Sequence, residues 1–166
     1  MRLSPVFNPC PNWSAMTRLT HLPAVLTLLL LPLLALQAAQ AREMVSVNRP
    51  VVNMRDGAGT HHDALWALNR GYPLEVTGRK GQWLKVRDFE NDSGWVYRPL
   101  VGKTPHHVVK SRVVNIRSGP TTGSRVIGKA EQGDVLRTLE RSERWVKVQQ
   151  QGGLKGWVAR RLLWGW

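Results

Sequence analysis

VVNMRDG at Val51–Gly57 returns as VVNIRSG at Val113–Gly119, and the rest of the chain is read from this pair. Laying Val51–Val101 on Val113–Leu163 at a constant offset of 62 residues (113 minus 51) requires no gap. GYPLEV then falls on GDVLRT, WLKV on WVKV, and GWVYRPL on GWVARRL. Chance does not place a series of such blocks in register, so the chain carries two copies of one unit.

Each copy has the pattern of short strands. Val113–Arg117 opens as a strand and is stopped by Ser118-Gly119-Pro120, a turn signal. Val135–Leu139 and Trp145–Val148 flank the polar turn Glu140–Arg144 as a hairpin. Gly156-Trp157-Val158 adds a strand, and Arg160–Leu163 reads as one helical turn followed by a closing strand. The first copy repeats this with Pro73–Thr77, Trp83–Val86, Gly94–Tyr97 and Leu100-Val101. Several short strands in so small a unit bury a core only by curling into a barrel. The expected fold is therefore all-β: two small barrels in tandem, residues 42–101 and 113–166, joined by a polar linker at 102–112.

Upstream, Leu22–Leu36 is almost wholly apolar, preceded by Arg18 and followed by Ala39-Gln40-Ala41. A basic flank, a short apolar core and a small-x-small site are what a signal peptidase reads. Residues 1–41 are thus expected to be a signal peptide cleaved after Ala41, with Met16 as an alternative start of translation. The apolar run is short for a membrane anchor, and Pro23 and Pro32 interrupt it. The one cysteine, Cys10, lies in this leader, so neither a disulfide framework nor a cysteine-based metal site is available to the folded part.

The chain has eight Trp against two Tyr and two Phe. Trp83, Trp95, Trp145 and Trp157 recur at equivalent positions of the two copies and are read as core, since a small barrel draws its thin core from few large side chains.

In their order, the V-N-x-R-x-G, W-x-K-V, G-W-V and R-x-L blocks resemble the bacterial Src-homology-3 (SH3b, SH3-like) domain, here present twice. The resemblance implies an exported, periplasmic or envelope-associated protein. It also implies a non-catalytic module of the kind that accompanies cell-wall hydrolases, although no hydrolase segment accompanies the two copies here.

Trp66, Tyr72 and Tyr97 stand opposite Gly128, Asp134 and Ala159 of the other copy, so the shared fold does not require them. They are candidates for an exposed aromatic binding surface. Arg55 and Arg117, in the V-N-x-R position, are candidates for gripping a carboxylate bidentately, or else for holding the long first loop. His61-His62 and His106-His107 are read as solvated loop residues rather than metal ligands, because adjacent side chains on an extended strand point apart. No nucleophile elbow, metal-binding His-x-x-x-His or phosphate-binding loop is present, so no catalytic residues, metal or cofactor are expected.

Charge is unevenly placed. The whole chain has a formal net charge of +13, but the first copy has 7 basic and 6 acidic residues and the second has 10 and 4. The second barrel is therefore the basic one, and Arg160 and Arg161 are its candidate ligand contacts. Export removes nucleic acid from consideration. The expected partner is peptidoglycan or another anionic envelope component; the alternative is an adaptor role, holding an envelope protein in a peptide groove or along a sheet edge.

Overall fold

A computed structural model describes residues 42–166, and the expected signal peptide lies outside the described residues. The first sheet contains β1 (Met44–Val47), β2 (Val51–Arg55), β3 (Ala64–Asn69), β4 (Pro73–Lys80), β5 (Trp83–Arg87), β6 (Ser93–Tyr97) and β7 (Val101–Gly102). A 3-10 turn at Arg98–Leu100 separates the last two. The second sheet contains β8 (His106–Val109), β9 (Val113–Arg117), β10 (Val126–Glu131), β11 (Val135–Arg141), β12 (Trp145–Gln149), β13 (Lys155–Ala159) and β14 (Leu163–Gly165), with its 3-10 turn at Arg160–Leu162. Strand order is β3-β2-β6-β5-β4-β1-β7 in the first and β10-β9-β13-β12-β11-β8-β14 in the second, one permutation used twice. The tandem all-β architecture expected from the repeat is what the chain adopts.

Repeated sequence blocks mark repeated backbone requirements. Gly71 and Gly133, at matching positions, adopt φ of 84° and 88°, a left-handed conformation that glycine enters without steric cost before β4 and β11. Gly94 and Gly156 open the G-W-V blocks because β6 and β13 pass close to β2 and β9. A Cβ on Gly156 would lie 2.8 Å from the Arg117 carbonyl oxygen, and one on Gly94 as close to that of Arg55. Register shifts between Val76 and Gly78 and between Thr138 and Glu140 bend the long hairpins at the same place in both copies.

Each sheet closes over its own aliphatic core. Val45, Val47, Val52, Met54, Leu68, Leu74, Leu84, Val86 and Val96 fill the first, and Val109, Val114, Ile116, Ala130, Leu136, Val146, Val148, Val158 and Leu163 the second. The expectation of tryptophan cores is corrected: Trp83, Trp95, Trp145 and Trp157 are half-buried and lie outside both clusters. The reason is strand parity. In Trp145-Val146-Lys147-Val148 the valines point inward, which leaves Trp145 on the outer face with Lys147. Lys147 Nζ in turn lies 5.7 Å from the Trp157 ring centroid.

The expected linker also needs correction. His106–Val109 within it forms β8, which pairs with both β11 and β14, so only a few residues remain between the sheets. His107-Val108-Val109 is buried on both faces, as is Met44–Val47 of β1, because one side of each strand meets its own core and the other lies between the barrels. The indole Nε1 of Trp166 donates to the buried Ser46 hydroxyl at 3.0 Å, joining the end of the second barrel to β1 of the first.

These placements overturn the solvated-loop reading for His106-His107. His107 is 2% exposed, and its Nδ1 lies 2.6 Å from the Thr138 hydroxyl. Burial, only partly opposed by a hydrogen bond with the Trp166 backbone, lowers its pKa to about 4. Burial also lowers that of His106, while a backbone hydrogen bond to Thr104 opposes the shift. A histidine held below its unfolded pKa is protonated first in the unfolded chain. Its contribution to stability is full above pH about 6.5 and is lost as pH falls toward 4, by up to about 3 kcal/mol. Thermal unfolding at pH 7 and pH 4.5 is therefore expected to show a larger drop in Tm for the native protein than for His107→Gln. Equal drops would remove His107 from the account.

Candidate functional site

In the second barrel, Trp145 at the start of β12 lies directly across from Ala159 at the end of β13. Above this pair, three segments border an open cleft of about 750 Å³: Pro120-Thr121-Thr122 from the loop after β9, Glu143-Arg144 before β12, and Arg160-Arg161 in the 3-10 turn.

Local hydrogen bonds fix these segments. Arg117 Nη1 donates to the Ser124 carbonyl at 2.8 Å, and the Thr121 and Ser124 hydroxyls meet at 2.9 Å, so the first loop is held from inside. Ser142 caps the hairpin, its hydroxyl donating to the Trp145 carbonyl at 3.0 Å while the Trp145 N–H approaches the same hydroxyl oxygen at 3.2 Å. The Arg160 N–H donates to the Arg144 carbonyl at 2.9 Å, tying the 3-10 turn to the hairpin. The rim is thus carried by anchored backbone, and its three guanidiniums extend from it.

Electrostatics follow from the count. Arg144, Arg160 and Arg161 face one carboxylate, Glu143, and among the described residues none of the three arginines is in an ion pair. A half-buried indole beneath unpaired guanidiniums suits a ligand with an apolar or planar body and carboxylate groups.

The first barrel carries the same register with another outcome. Trp83 pairs across the strands with Tyr97, the counterpart of Ala159, and the two rings lie 5.4 Å apart at 50°. The phenol ring stands at the position where the second barrel has only the Ala159 methyl group. Around it, Gln82 replaces Arg144 and Pro99 replaces Arg161, so only Arg98 keeps the basic rim.

The structure divides the residues expected to bind. Arg160 and Arg161 are exposed and line the cleft. Arg55 and Arg117 hold loops instead, since Arg55 Nη1 donates to the His62 carbonyl at 2.6 Å as Arg117 does to Ser124. Trp66 is 54% exposed on β3, and Tyr97 is 39% exposed. Tyr72 belongs with neither: it packs against the first core, its hydroxyl donates to Asp88 Oδ2 at 3.4 Å, and burial raises its pKa above the usual tyrosine range. Reading the sequence missed Arg144, Glu143 and the role of Trp145. The signal available was the pairing of Tyr97 with Ala159 beside a shared tryptophan.

His61 and His62 stack at 4.4 Å, and His62 Nδ1 lies 3.2 Å from Asp56, which places them on the exposed first loop. Asp88, Glu90 and Asp92 gather their carboxylates on the loop after β5. Asp88 Oδ1 there accepts the N–H groups of Glu90 and Asp92, each at 2.9 Å, so the buried carboxylate serves the turn itself.

Comparison with known proteins matches residues 48–103 and residues 112–163, separately, to the bacterial SH3 domain. Over 74% of its length the chain is 24% identical to YrvJ of Bacillus subtilis (strain 168), whose name assigns it provisionally as an N-acetylmuramoyl-L-alanine amidase. The chain spans only 25% of that relative. Among solved structures it is similar to NlpC2 from Trichomonas vaginalis, at 14% identity and a TM-score of 0.35, covering 75% of this chain and 48% of that one. An NlpC/P60 family protein from Bacillus cereus ATCC 10987 aligns at 11% identity and a TM-score of 0.36, covering 74% and 56%.

Proposed function

The chain belongs to the bacterial SH3 domain family, with two copies in tandem, and on that premise we propose that it is a non-catalytic binding protein of the cell envelope that associates with peptidoglycan. The observation that carries this reading is the cleft of the second barrel, where Arg144, Arg160 and Arg161 surround Trp145 with a single acid among them. Peptidoglycan supplies anionic groups on short peptides, the chemistry such a rim attracts. The partial likeness to a wall amidase supports an envelope setting. Among the described residues no helix is long and apolar enough to cross a membrane.

A second reading has its own observation. The edge strand β3 exposes Leu65 and Trp66 side by side, at 46% and 54%, beside an unpaired strand edge suited to an added peptide strand. This is the adaptor alternative, in which an envelope protein is the partner.

Cosedimentation with purified sacculi separates the two. The purified protein is expected to pellet with sacculi at low salt and to be released as salt rises, because exposed charges are screened within about 8 Å at physiological ionic strength. A protein that stays in the supernatant at every salt concentration refutes the peptidoglycan reading.

A further inference from the structure

We propose that one cross-strand position decides which barrel is open to ligand: Tyr97 occupies the first barrel's own groove, and Ala159 leaves the second barrel's groove free for a short peptide bearing free carboxylates. The inference deepens the peptidoglycan reading and rests on it.

The two barrels are an internal comparison. The loop after the first strand of each repeat, the hairpin tip and the 3-10 turn that border the second barrel's cleft have counterparts at the same repeat positions in the first, with Trp83 in the place of Trp145. Residue 97 or 159 lies across from that tryptophan in the same register. A phenol ring lies 5.4 Å from the Trp83 indole, whereas only a methyl group stands across from Trp145, which lines a cleft of about 750 Å³. Self-occupation and loss of charge coincide, since the closed groove keeps Arg98 while the open one has Arg144, Arg160 and Arg161. Charge complementarity names the occupant. Three guanidiniums against one carboxylate favour a ligand with two or more carboxylates, and the open tryptophan favours an uncharged backbone or side chain between them.

The test uses the full folded chain and a defined probe: a stem peptide released from peptidoglycan, and the same peptide with its carboxylates amidated. Binding is read by calorimetry. The free acid is expected to bind at least about tenfold tighter than the amide. Ala159→Tyr is expected to weaken binding by about tenfold or more, and Tyr97→Ala to leave it undiminished. Tyrosine is already accommodated opposite Trp83, so Ala159→Tyr has a precedent within the same fold. Ala159→Phe, with thermal unfolding of both variants, covers a local packing fault. Native affinity in folded Ala159→Tyr and Ala159→Phe, or loss of binding in Tyr97→Ala, overturns the proposal. Pelleting with sacculi without binding to the stem peptide also overturns it while sparing the peptidoglycan reading, and failure to pellet removes both. Equal affinity for an unrelated oligoglutamate overturns the assignment to peptidoglycan peptides and points to an acidic protein.

Discussion

Leu136→Ala is expected to unfold the second barrel while the first stays folded. Leu136 is fully buried in the second core, and cutting a buried leucine to alanine costs about 2–5 kcal/mol. A domain of this size seldom has more than about 3–5 kcal/mol in hand. The two cores share no residue, so the deficit falls on one of them. Trp157→Ala makes the contrast. Its side chain is half-buried on the outer face against Lys147, and its loss is expected to cost about 1 kcal/mol, the scale of a cross-strand or cation–π contact. Amide correlation spectra of both variants test this, with dispersed first-barrel resonances surviving in Leu136→Ala. Loss of both sets together would mean that the Trp166–Ser46 bond and the buried faces of β1 and β8 fuse the barrels into one cooperative unit.

That contrast reverses what the abundance of tryptophan suggests, and the sequence contained the information needed to read it correctly. In W-L-K-V and W-V-K-V, alternation puts the tryptophan on the lysine's side and the two apolar residues on the other. The repeat made the fold legible, because glycines at 71 and 133 and at 94 and 156 answer backbone constraints that any copy must meet. β8 was harder to see. Its sequence, His106-His107-Val108-Val109, reads as polar at one end, and its burial comes from β11, β14 and the neighbouring barrel, none of them local in sequence. His107 is tolerated there because Thr138, brought alongside by the β8–β11 pairing, satisfies its ring nitrogen.

The site was legible in part for a similar reason. Charge counting pointed to the second barrel and to Arg160 and Arg161, which the structure places on one rim. It could not find Arg144, which reaches that rim from another hairpin, or show that Arg117 is turned inward onto the Ser124 carbonyl. Such assignments depend on which way a loop folds back, and one arginine looks like another in sequence.

Reversal of charge at the rim is expected to have the largest effect on binding. Arg160→Glu with Arg161→Glu changes the local charge by four units, and each exposed charge near an anionic surface contributes on the order of 1 kcal/mol at low salt. Affinity for sacculi is therefore expected to fall on the order of a thousandfold at low salt, and the deficit to shrink as salt screens the exposed rim. The matched control is Arg98→Glu with Lys80→Glu, an equal reversal on the first barrel at two exposed positions, one of them the counterpart of Arg160. Arg79 is a poor control because it pairs with Glu43. Equal losses from both pairs would show that the protein responds to total charge rather than to a site. If Trp66→Ala weakens binding more than the arginine reversal does, and salt has little effect, binding lies on the exposed β3 edge of the first barrel and the adaptor reading takes over.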